Sequence, residues 1–433
     1  MSRKALSFWL IVVPDALLLY LGLWLAIVVR YNGTLGRAEV STHFRIFSLI
    51  FLLWLVVFFI HGLFEVSVFR RFTSLVFNLI SAMVVNILLA VLYFYFQPNL
   101  ILTPRRFLLI DVAISFILVL AWHLMVKYFI KNKLIEGVYV FSFNDELKEL
   151  EQEVQNHSFL GYRLLGKLNE QSLVATQIAK NSSIILPDNV YSSTTTSQQL
   201  YQLRTQGIKF YNHKDYYEFL LRRIYLSELN ELWFLENINY QEHRFYILLK
   251  RAVDIVFGFF AFLVFCITYP LFAALIKLET KGPVLFVQDR IGQNGEIFKI
   301  YKYRTMFGGR TDTWTEKNDP RITRLGNILR KTRIDELPQS INLLKGNLSL
   351  VGPRPEQVQI VEQLREQVPF YDERHLVKPG LTGWAQLNIY AGSLEETRLK
   401  LQYDLYYIKH RSFLFDLEII LKTIYYIFTW QGR

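Results

Sequence analysis

The sequence predicts an α-helical membrane protein with α/β domains, and three observations carry that prediction. Of 433 residues, 52% are hydrophobic and 16% aromatic, above ordinary globular usage. The first third holds four apolar stretches, each near the ~20 residues that cross a bilayer core as a helix. From Glu136 onward, short apolar runs alternate with polar helical stretches, the pattern of a parallel α/β sheet. The chain is therefore divided into a four-helix transmembrane domain (1–133), a Rossmann-like α/β domain without a nucleotide fingerprint (134–240), and a mixed α/β domain (241–433). The last carries a re-entrant membrane helix at about 252–277 and interfacial amphipathic helices.

The apolar stretches lie at 8–29, 46–64, 75–96 and 107–130. Arg3 and Lys4, Arg70 and Arg71, and Lys127, Lys131 and Lys133 mark their cytoplasmic ends, while Arg30, Arg37, Arg45, Arg105 and Arg106 in the opposite loops weaken that bias. The opening MSRK and its apolar run lack a small-residue cleavage site, so this helix is expected to be retained. Asp15, Asp111 and His123 fall inside these segments. Packing against another helix or sitting near an interface is a commoner role for such residues than a proton path. The basic excess, 48 Lys and Arg against 37 Asp and Glu, suits nucleic acid or an anionic lipid surface, and apolar segments with basic flanks favour lipid. A single cysteine, Cys266, excludes an intrachain disulfide and a cysteine-built zinc site.

In the middle domain the runs GVYVFSF, YRLLGKL, SSIILP and GIKFY read as strands. A dinucleotide site needs glycines in the turn after the first strand, so that the backbone can approach the phosphates. Ser142, Phe143, Asn144, Asp145 and Glu146 stand there instead, which assigns this domain to structure, pairing or regulation. The stretch YSSTTTSQQ at 191–199 reads as a loop. A fifth apolar segment, 252–276, contains Pro270 and has basic residues at both ends: Lys250 and Arg251 before it, Lys277, Lys281 and Arg290 after it. A helix that kinks at the proline and returns to the same face accounts for both facts better than a spanning one. Residues 321–332 and 412–430 have amphipathic patterns, fitting interfacial helices or helices packed on a soluble core.

The chemistry concentrates in KTRIDELPQSINLLKGNLSLVGPRPE, 331–356. Asp335 fits the N-cap of a helix starting at Glu336, with Pro338 tolerated in its first turn. Free N–H groups at such an end favour an ionised carboxylate and attract phosphate, so the cap also suits a nucleophile facing a phosphate ester. Pro353 and Pro355 fix the backbone on both sides of Arg354 and present its guanidinium rigidly, matched to two phosphate oxygens. In YKYRTM, Lys302 and Arg304 are two apart and share a side if extended. Carboxylates beside these cations suit a diphosphate held through Mg2+. Their place among interfacial helices points to a second substrate in the bilayer.

With these residues in hand, the C-terminal half from about Arg251 resembles the bacterial sugar transferase family, the polyprenyl-phosphate hexose-1-phosphate transferases, and within it the large monotopic phosphoglycosyl transferase subclass. The matching stretches are KLETKGPVLFVQDRIGQNG, YKYRTM, RITRLGNILRKTRIDELPQSINLLKGNLSLVGPRPE, KPGLTGWAQLN and YDLYYIKHRSFLFDLEIILKT. The resemblance implies transfer of a sugar 1-phosphate from a UDP-sugar, favouring UDP-glucose or UDP-galactose, to undecaprenyl phosphate with release of UMP. That is the first membrane step of exopolysaccharide, capsule or O-antigen synthesis. It further implies Asp335 as nucleophile through a covalent phosphosugar, Glu336 and Asp335 at Mg2+, Arg330 and Arg354 with Pro353 and Pro355 at the phosphates, and Lys302 and Arg304 near the donor. A homodimer in the bacterial inner membrane, with its catalytic domain on the cytoplasmic face, follows from the same likeness. Where the family usually has Ser-Pro at the helix break, this chain has Tyr269-Pro270. A non-catalytic scaffold of polysaccharide assembly is the alternative. A membrane-bound nucleotide-sugar dehydratase fits less well: it needs a glycine fingerprint and a YxxxK that follows it, and the only YxxxK is Tyr246 to Lys250.

Overall fold

A computed structural model describes residues 3–32, 34–64, 72–96, 104–133, 136–141, 162–169, 178–179, 182–186, 194–226, 229–238, 244–307, 319–389 and 393–428. The chain divides into two units, Met1–Tyr216 and Tyr217–Arg433.

In the first unit, helices α1 (Arg3–Tyr31), α2 (Arg37–Ile60), α3 (Phe72–Tyr95) and α4 (Pro104–Lys133) pack as a ring, α1 on α2 and α4, and α3 on α2 and α4. Leu19, Leu23, Phe47, Trp54, Phe58, Leu79 and Val119 fill its interior. Leu17, Phe77 and Ile117 stand outward and exposed. Apolar side chains on both the inner and outer faces mark a bundle whose solvent is lipid. All four helices are long and apolar enough to cross a membrane. A Cβ added at Gly22 would meet the Ser115 hydroxyl at 2.4 Å, so α1 and α4 approach through a missing side chain. Asp15 and His123 meet across the same pair of helices, at 2.8 Å and wholly buried, and the Ser115 hydroxyl faces Asp111 at 3.5 Å. The basic flanks Arg70 and Arg71, and the side chains of Arg3, Lys4, Arg105, Arg106, Lys131 and Lys133, lie outside the described residues.

The four expected strands of the middle domain are β1 (Glu136–Phe141), β2 (Tyr162–Leu168), β3 (Ser183–Leu186) and β4 (Lys209–Asn212). They form one parallel sheet in the order β2-β1-β3-β4. Strand β3 is buried throughout, as a central parallel strand requires. The glycine-poor turn from Ser142 to Glu146 lies outside the described residues. The stretch read as a loop at 191–199 is helical from Thr194, in α5 (Thr194–Thr205), because Ser and Thr favour helix starts as well as turns.

The second unit begins ahead of the expected boundary at 240. Ile224, Phe234 and Ile238 belong to its core, with Leu343, Leu350, Val361, Leu401 and Ile419. Its longest element is α6 (Arg244–Glu279), 36 residues, with Pro270 inside it. Fourteen large apolar side chains from Phe245 to Leu278 are exposed along α6. Both ends of α6 nevertheless hold the same unit. Near its start, Lys250 Nζ donates to Asp416 at 2.7 Å, and at its close Glu279 Oε1 accepts the Arg324 backbone N–H at 2.7 Å.

After α6 comes an antiparallel hairpin, β5 (Leu285–Ile291) and β6 (Ile297–Tyr303). Helix α7 (Arg324–Lys331) starts three residues later than the pattern at 321 suggested, because Asp319 and Arg321 close a turn ahead of it and Thr323 caps it by accepting the Gly326 N–H at 2.8 Å. Leu329 is buried on α7 while Ile328 is exposed, so one side packs and the other remains free for an interface. Beyond lie α8 (Ser340–Lys345), the parallel pair β7 (Ser349–Val351) and β8 (Gly380–Thr382), α9 (Leu394–His410) and α10 (Phe413–Phe428). On α10, Phe415, Asp416 and Ile419 are buried and Leu414, Leu417 and Ile424 exposed, so a single amphipathic helix serves both the core and the open face.

Candidate active site

Arg333, in the left-handed region at φ 59°, ends α7 and turns the chain into a short 3-10 helix, Ile334–Gln339. Asp335 is therefore not the N-cap of a helix that starts at Glu336. Arg333 occupies the cap position, because Thr332 already closes α7 and the turn must begin there. Ile334 and Leu337 drop into a cluster with Phe262, Phe265 and Tyr303, which fixes the turn against α6 and β6. Its two acids are thereby turned toward the basic elements.

Glu336 Oε1 receives Lys302 Nζ at 3.0 Å, with Arg354 at 3.7 Å and Arg333 at 3.8 Å. Burial works to raise the Glu336 carboxyl, and these three cations outweigh it and hold the group below the usual carboxylate range. Asp335 is shifted the other way. Burial, then the Glu336 charge beside it, raise its carboxyl above the usual range against the pull of Lys302, Arg333 and Arg330. Its Oδ1 is buried and has no hydrogen-bond partner among the described residues. An acceptor left bare at such cost marks a position shaped for something besides stability.

Arg354 is presented as its flanking prolines predict. Pro353 and Pro355 are buried; the Pro353 carbonyl accepts the Gly380 N–H at 2.8 Å, and the Pro355 carbonyl accepts Arg290 at 3.1 Å. The Arg354 carbonyl accepts Arg374 Nη2 at 3.0 Å, leaving its guanidinium to face Glu336. Arg290, Lys302, Gln339, Arg354, Pro355 and Gly380 line a small, open cleft. Arg290 is the residue the sequence pattern did not single out. Burial pulls its guanidinium down to about 10, against the Glu356 charge that supports it, which marks a desolvated cation. The signal was its inward register on β5, legible only once the hairpin partner was known.

Arg330 and Arg304 are placed differently. Arg330 Nε donates to the Thr305 hydroxyl at 2.9 Å, and its charge acts on Asp335. Arg304 lies just past the end of β6, and its guanidinium turns to the end of α6, donating to the Thr280 carbonyl at 3.0 Å and the Lys281 carbonyl at 3.1 Å. Lys302 and Arg304 thus share no partner, because the strand that would align them stops at Tyr303. Beneath the cleft, Glu356 meets Lys400, and the buried Arg374 grips Asp404 Oδ2 at 2.8 and 3.0 Å. The YxxxK pair is structural: Tyr246 Oη and Lys250 Nζ both donate to Asp416 Oδ2.

Mg2+ takes oxygen ligands and keeps positions for substrate phosphates, so it seldom needs an all-protein cage. No group of three or more metal-binding side chains occurs among the described residues. Two adjacent carboxylates with the bare Asp335 Oδ1 fit an ion completed by a diphosphate.

The family profile of the bacterial sugar transferases matches residues 245–430. A UDP-N-acetylgalactosamine-undecaprenyl-phosphate N-acetylgalactosaminephosphotransferase of Aeromonas hydrophila is 44% identical over 191 residues, 43% of this chain and 45% of that protein. A UDP-glucose:undecaprenyl-phosphate glucose-1-phosphate transferase of Escherichia coli is 44% identical over 184 residues, 41% of this chain and 40% of that protein. The match thus spans less than half the length of either. An exopolysaccharide production protein of Rhizobium leguminosarum is 42% identical over 194 residues, 41% of this chain but 94% of its own length.

Proposed function

The chain belongs to the bacterial sugar transferase family, and we propose that it transfers a sugar 1-phosphate from a UDP-sugar to undecaprenyl phosphate, releasing UMP. The observation that carries this reading is the buried, unpartnered Asp335 Oδ1 beside a glutamate that three cations surround. Asp335 attacks the β-phosphorus; its oxygen–phosphorus bond forms as the bond to the bridging oxygen breaks, and UMP departs with that oxygen. An oxygen of undecaprenyl phosphate then attacks the same phosphorus and frees the carboxylate, leaving an undecaprenyl diphosphate sugar.

Arg290, Lys302 and Arg354 receive the diphosphate oxygens, where fixed cations in a desolvated cleft stabilise charge that moves toward the leaving group. Arg330 supports Asp335 as an ionised nucleophile, and Arg304 positions the end of α6. Glu336, with Asp335, would hold Mg2+, which when bound supplies Lewis-acid polarisation of the phosphoryl oxygens. UDP-glucose and UDP-galactose are the proposed donors; the names of the relatives, which include glucose and N-acetylgalactosamine, keep the assay panel wide.

The helix α6 is proposed to be re-entrant, supported by the engagement of both its ends with one unit. On that geometry the catalytic unit lies on the cytoplasmic face of the inner membrane, at the start of exopolysaccharide, capsule or O-antigen synthesis. Two copies form the working homodimer, which light scattering of the detergent-solubilised protein tests by mass. The decisive assay follows UMP release from Mg2+, undecaprenyl phosphate and a panel of UDP-sugars. Release with one donor, abolished by Asp335→Asn, is expected. No release from any donor by folded protein would return the chain to the scaffold reading.

A further inference from the structure

The loop 353–356 is held at four successive main-chain carbonyls. The outer two take backbone bonds: the Pro353 carbonyl accepts the Gly380 N–H at 2.8 Å, and the Glu356 carbonyl accepts the Ile291 N–H at 3.1 Å. The inner two are held by guanidinium groups, Arg290 on the Pro355 carbonyl at 3.1 Å and Arg374 on the Arg354 carbonyl at 3.0 Å. The prolines fix their own φ and push Arg354 toward an extended ψ, but a range of peptide tilts survives that restriction. The bond from Arg374 removes it, because it fixes the plane of the peptide that joins Arg354 to Pro355.

Arg374 belongs to a short 3-10 helix, Tyr371–Leu376, which starts from Phe370 in the left-handed region at φ 57°. Its side chain is 1% exposed. Nε and Nη2 donate to Asp404 Oδ2 at 3.0 and 2.8 Å, Nη1 donates to the Tyr371 hydroxyl at 2.8 Å, and Nη2 also reaches Arg354. Asp404 lies on α9 one turn beyond Lys400, so the two share a side of that helix. Lys400 takes the Glu356 carboxylate. Helix α9 thus supports the loop twice: at the Glu356 side chain through Lys400, and at the Arg354 carbonyl through Asp404 and Arg374.

Stability alone does not explain this pair. Desolvating two charges offsets their attraction, and apolar residues of like volume often serve a fold as well as a buried ion pair does. The link to Arg354 supplies the other reason. Arg290, Lys302 and Arg354 line the cleft and Arg374 does not, so Arg374 reaches a substrate only through another residue. The Arg354 side chain is 37% exposed, and its guanidinium lies 3.7 Å from Glu336, beyond hydrogen-bond reach. Its tip is loosely held, so its aim is set at its base. A long side chain amplifies any tilt of the backbone that carries it, and a misplacement of about 1 Å in such a site costs about 10²-fold in rate.

We infer, on the reading of Arg354 as a diphosphate ligand, that Arg374, Asp404 and Tyr371 are positioning residues that aim Arg354 through its main-chain carbonyl. Asp404 and Tyr371 orient the Arg374 guanidinium, and Arg374 orients the peptide after Arg354. The group they aim stabilises charge that moves toward the leaving group, so their contribution falls on kcat more than on KM.

The test follows UMP release by the full-length protein in detergent, with Mg2+, undecaprenyl phosphate and the active UDP-sugar, and reads the unfolding midpoint beside each rate. Arg374→Lys keeps a charge opposite Asp404 but loses the planar fork that reaches Arg354. Its kcat should fall about 10²-fold, with KM for the donor held within about threefold. Arg354→Ala alone should also fall about 10²-fold and leave a measurable rate. In that background Arg374→Lys should lower the rate by less than about twofold, because nothing is left to aim, while the midpoint drops as before. Ile419→Ala, a cavity elsewhere in the same core, should lower the midpoint and keep the kcat of the folded protein. Arg365→Gln breaks the exposed pair with Asp372, next to Tyr371, and should change neither. If Arg374→Lys does not fold, Tyr371→Phe removes a single hydroxyl, and its loss of about tenfold in kcat should likewise vanish in the Arg354→Ala background. Losses that add in full to that of Arg354→Ala, or a kcat that merely follows the midpoint, would make the pair structural and overturn the inference. Absence of UMP release from the natural protein is a separate failure, which removes the transferase reading and this inference with it.

Discussion

Lys302, Arg333 and Arg354 converge on one oxygen of Glu336, and that convergence makes the glutamate more than a salt-bridge partner. Removing its charge in Glu336→Gln leaves three cations facing each other across the cleft. UMP release should fall about 10²- to 10³-fold, as when a preorganised charge is lost. The Mg2+ concentration for half-maximal rate should rise at least about tenfold; an unchanged Mg2+ dependence with a lowered rate would leave Glu336 an electrostatic role alone. Glu356 tests stability instead of catalysis. It lies among Lys400, Arg290 and Arg374, and although burial works to raise its carboxyl, those charges hold it down at about 2. A carboxylate lowered in the folded state contributes stability that is complete above its ordinary value and is lost as pH falls through the folded one. The natural protein should therefore lose stability between about pH 4.5 and 2 by an amount that Glu356→Gln does not. At neutral pH the same variant should cost about 3–5 kcal/mol by leaving Lys400 without its counter-charge. Thermal unfolding of both proteins across that pH range, in one detergent, measures the difference.

Among the elements, the strands and apolar helices were legible because periodicity and length are local properties. The four middle-domain strands and the fifth apolar helix follow from short windows of sequence. What the sequence hid depends on partners far along the chain. Arg290 shows its role only when β5 pairs with β6 and Pro355 arrives 65 positions later, and Arg374 with Asp404, 30 apart, carries no local pattern at all. Asp335 was found by its neighbours, yet its 3-10 turn was not, because the left-handed Arg333 that creates it has no sequence signature. Helix α6 gives the element-scale test. In a Cys266→Ser background, cysteines placed at Arg244 and at Lys281 should both react with a membrane-impermeant maleimide from the cytoplasmic side; labelling from opposite sides would make the helix a simple span. Its close approach to α8 is testable separately, since a Cβ at Gly258 would meet Leu343 at 3.1 Å. Gly258→Val should cost about 1–3 kcal/mol through overpacking, seen as a lowered unfolding midpoint.

At the scale of the whole molecule, the family match begins at residue 245, but the unit that folds around the site begins at Tyr217. The difference is a segment that the catalytic core uses. Ile224, Phe234 and Ile238 are buried in that core, and Arg222 grips Glu418 through two bonds of 2.6 and 2.9 Å while its guanidinium lies 4.5 Å from the Trp384 ring. Trp384 returns a bond to the Arg222 carbonyl at 2.9 Å, and Glu218 receives Lys409 and His410 at 2.8 and 2.5 Å. Stripping the segment exposes the sockets of three apolar side chains, each worth ~2 kcal/mol of burial, and unpairs Glu418 from its arginine. That loss is comparable to the whole stability of a typical domain. A protein reduced to 217–433 should therefore keep UMP release within about tenfold of the full chain, whereas 245–433 should aggregate or unfold at the growth temperature despite containing every matched residue. Size-exclusion behaviour and UMP release of the two truncations, purified in the same detergent, distinguish the outcomes. Equal activity from both would mean that the segment merely rests on the catalytic unit, and that the matched region is sufficient by itself.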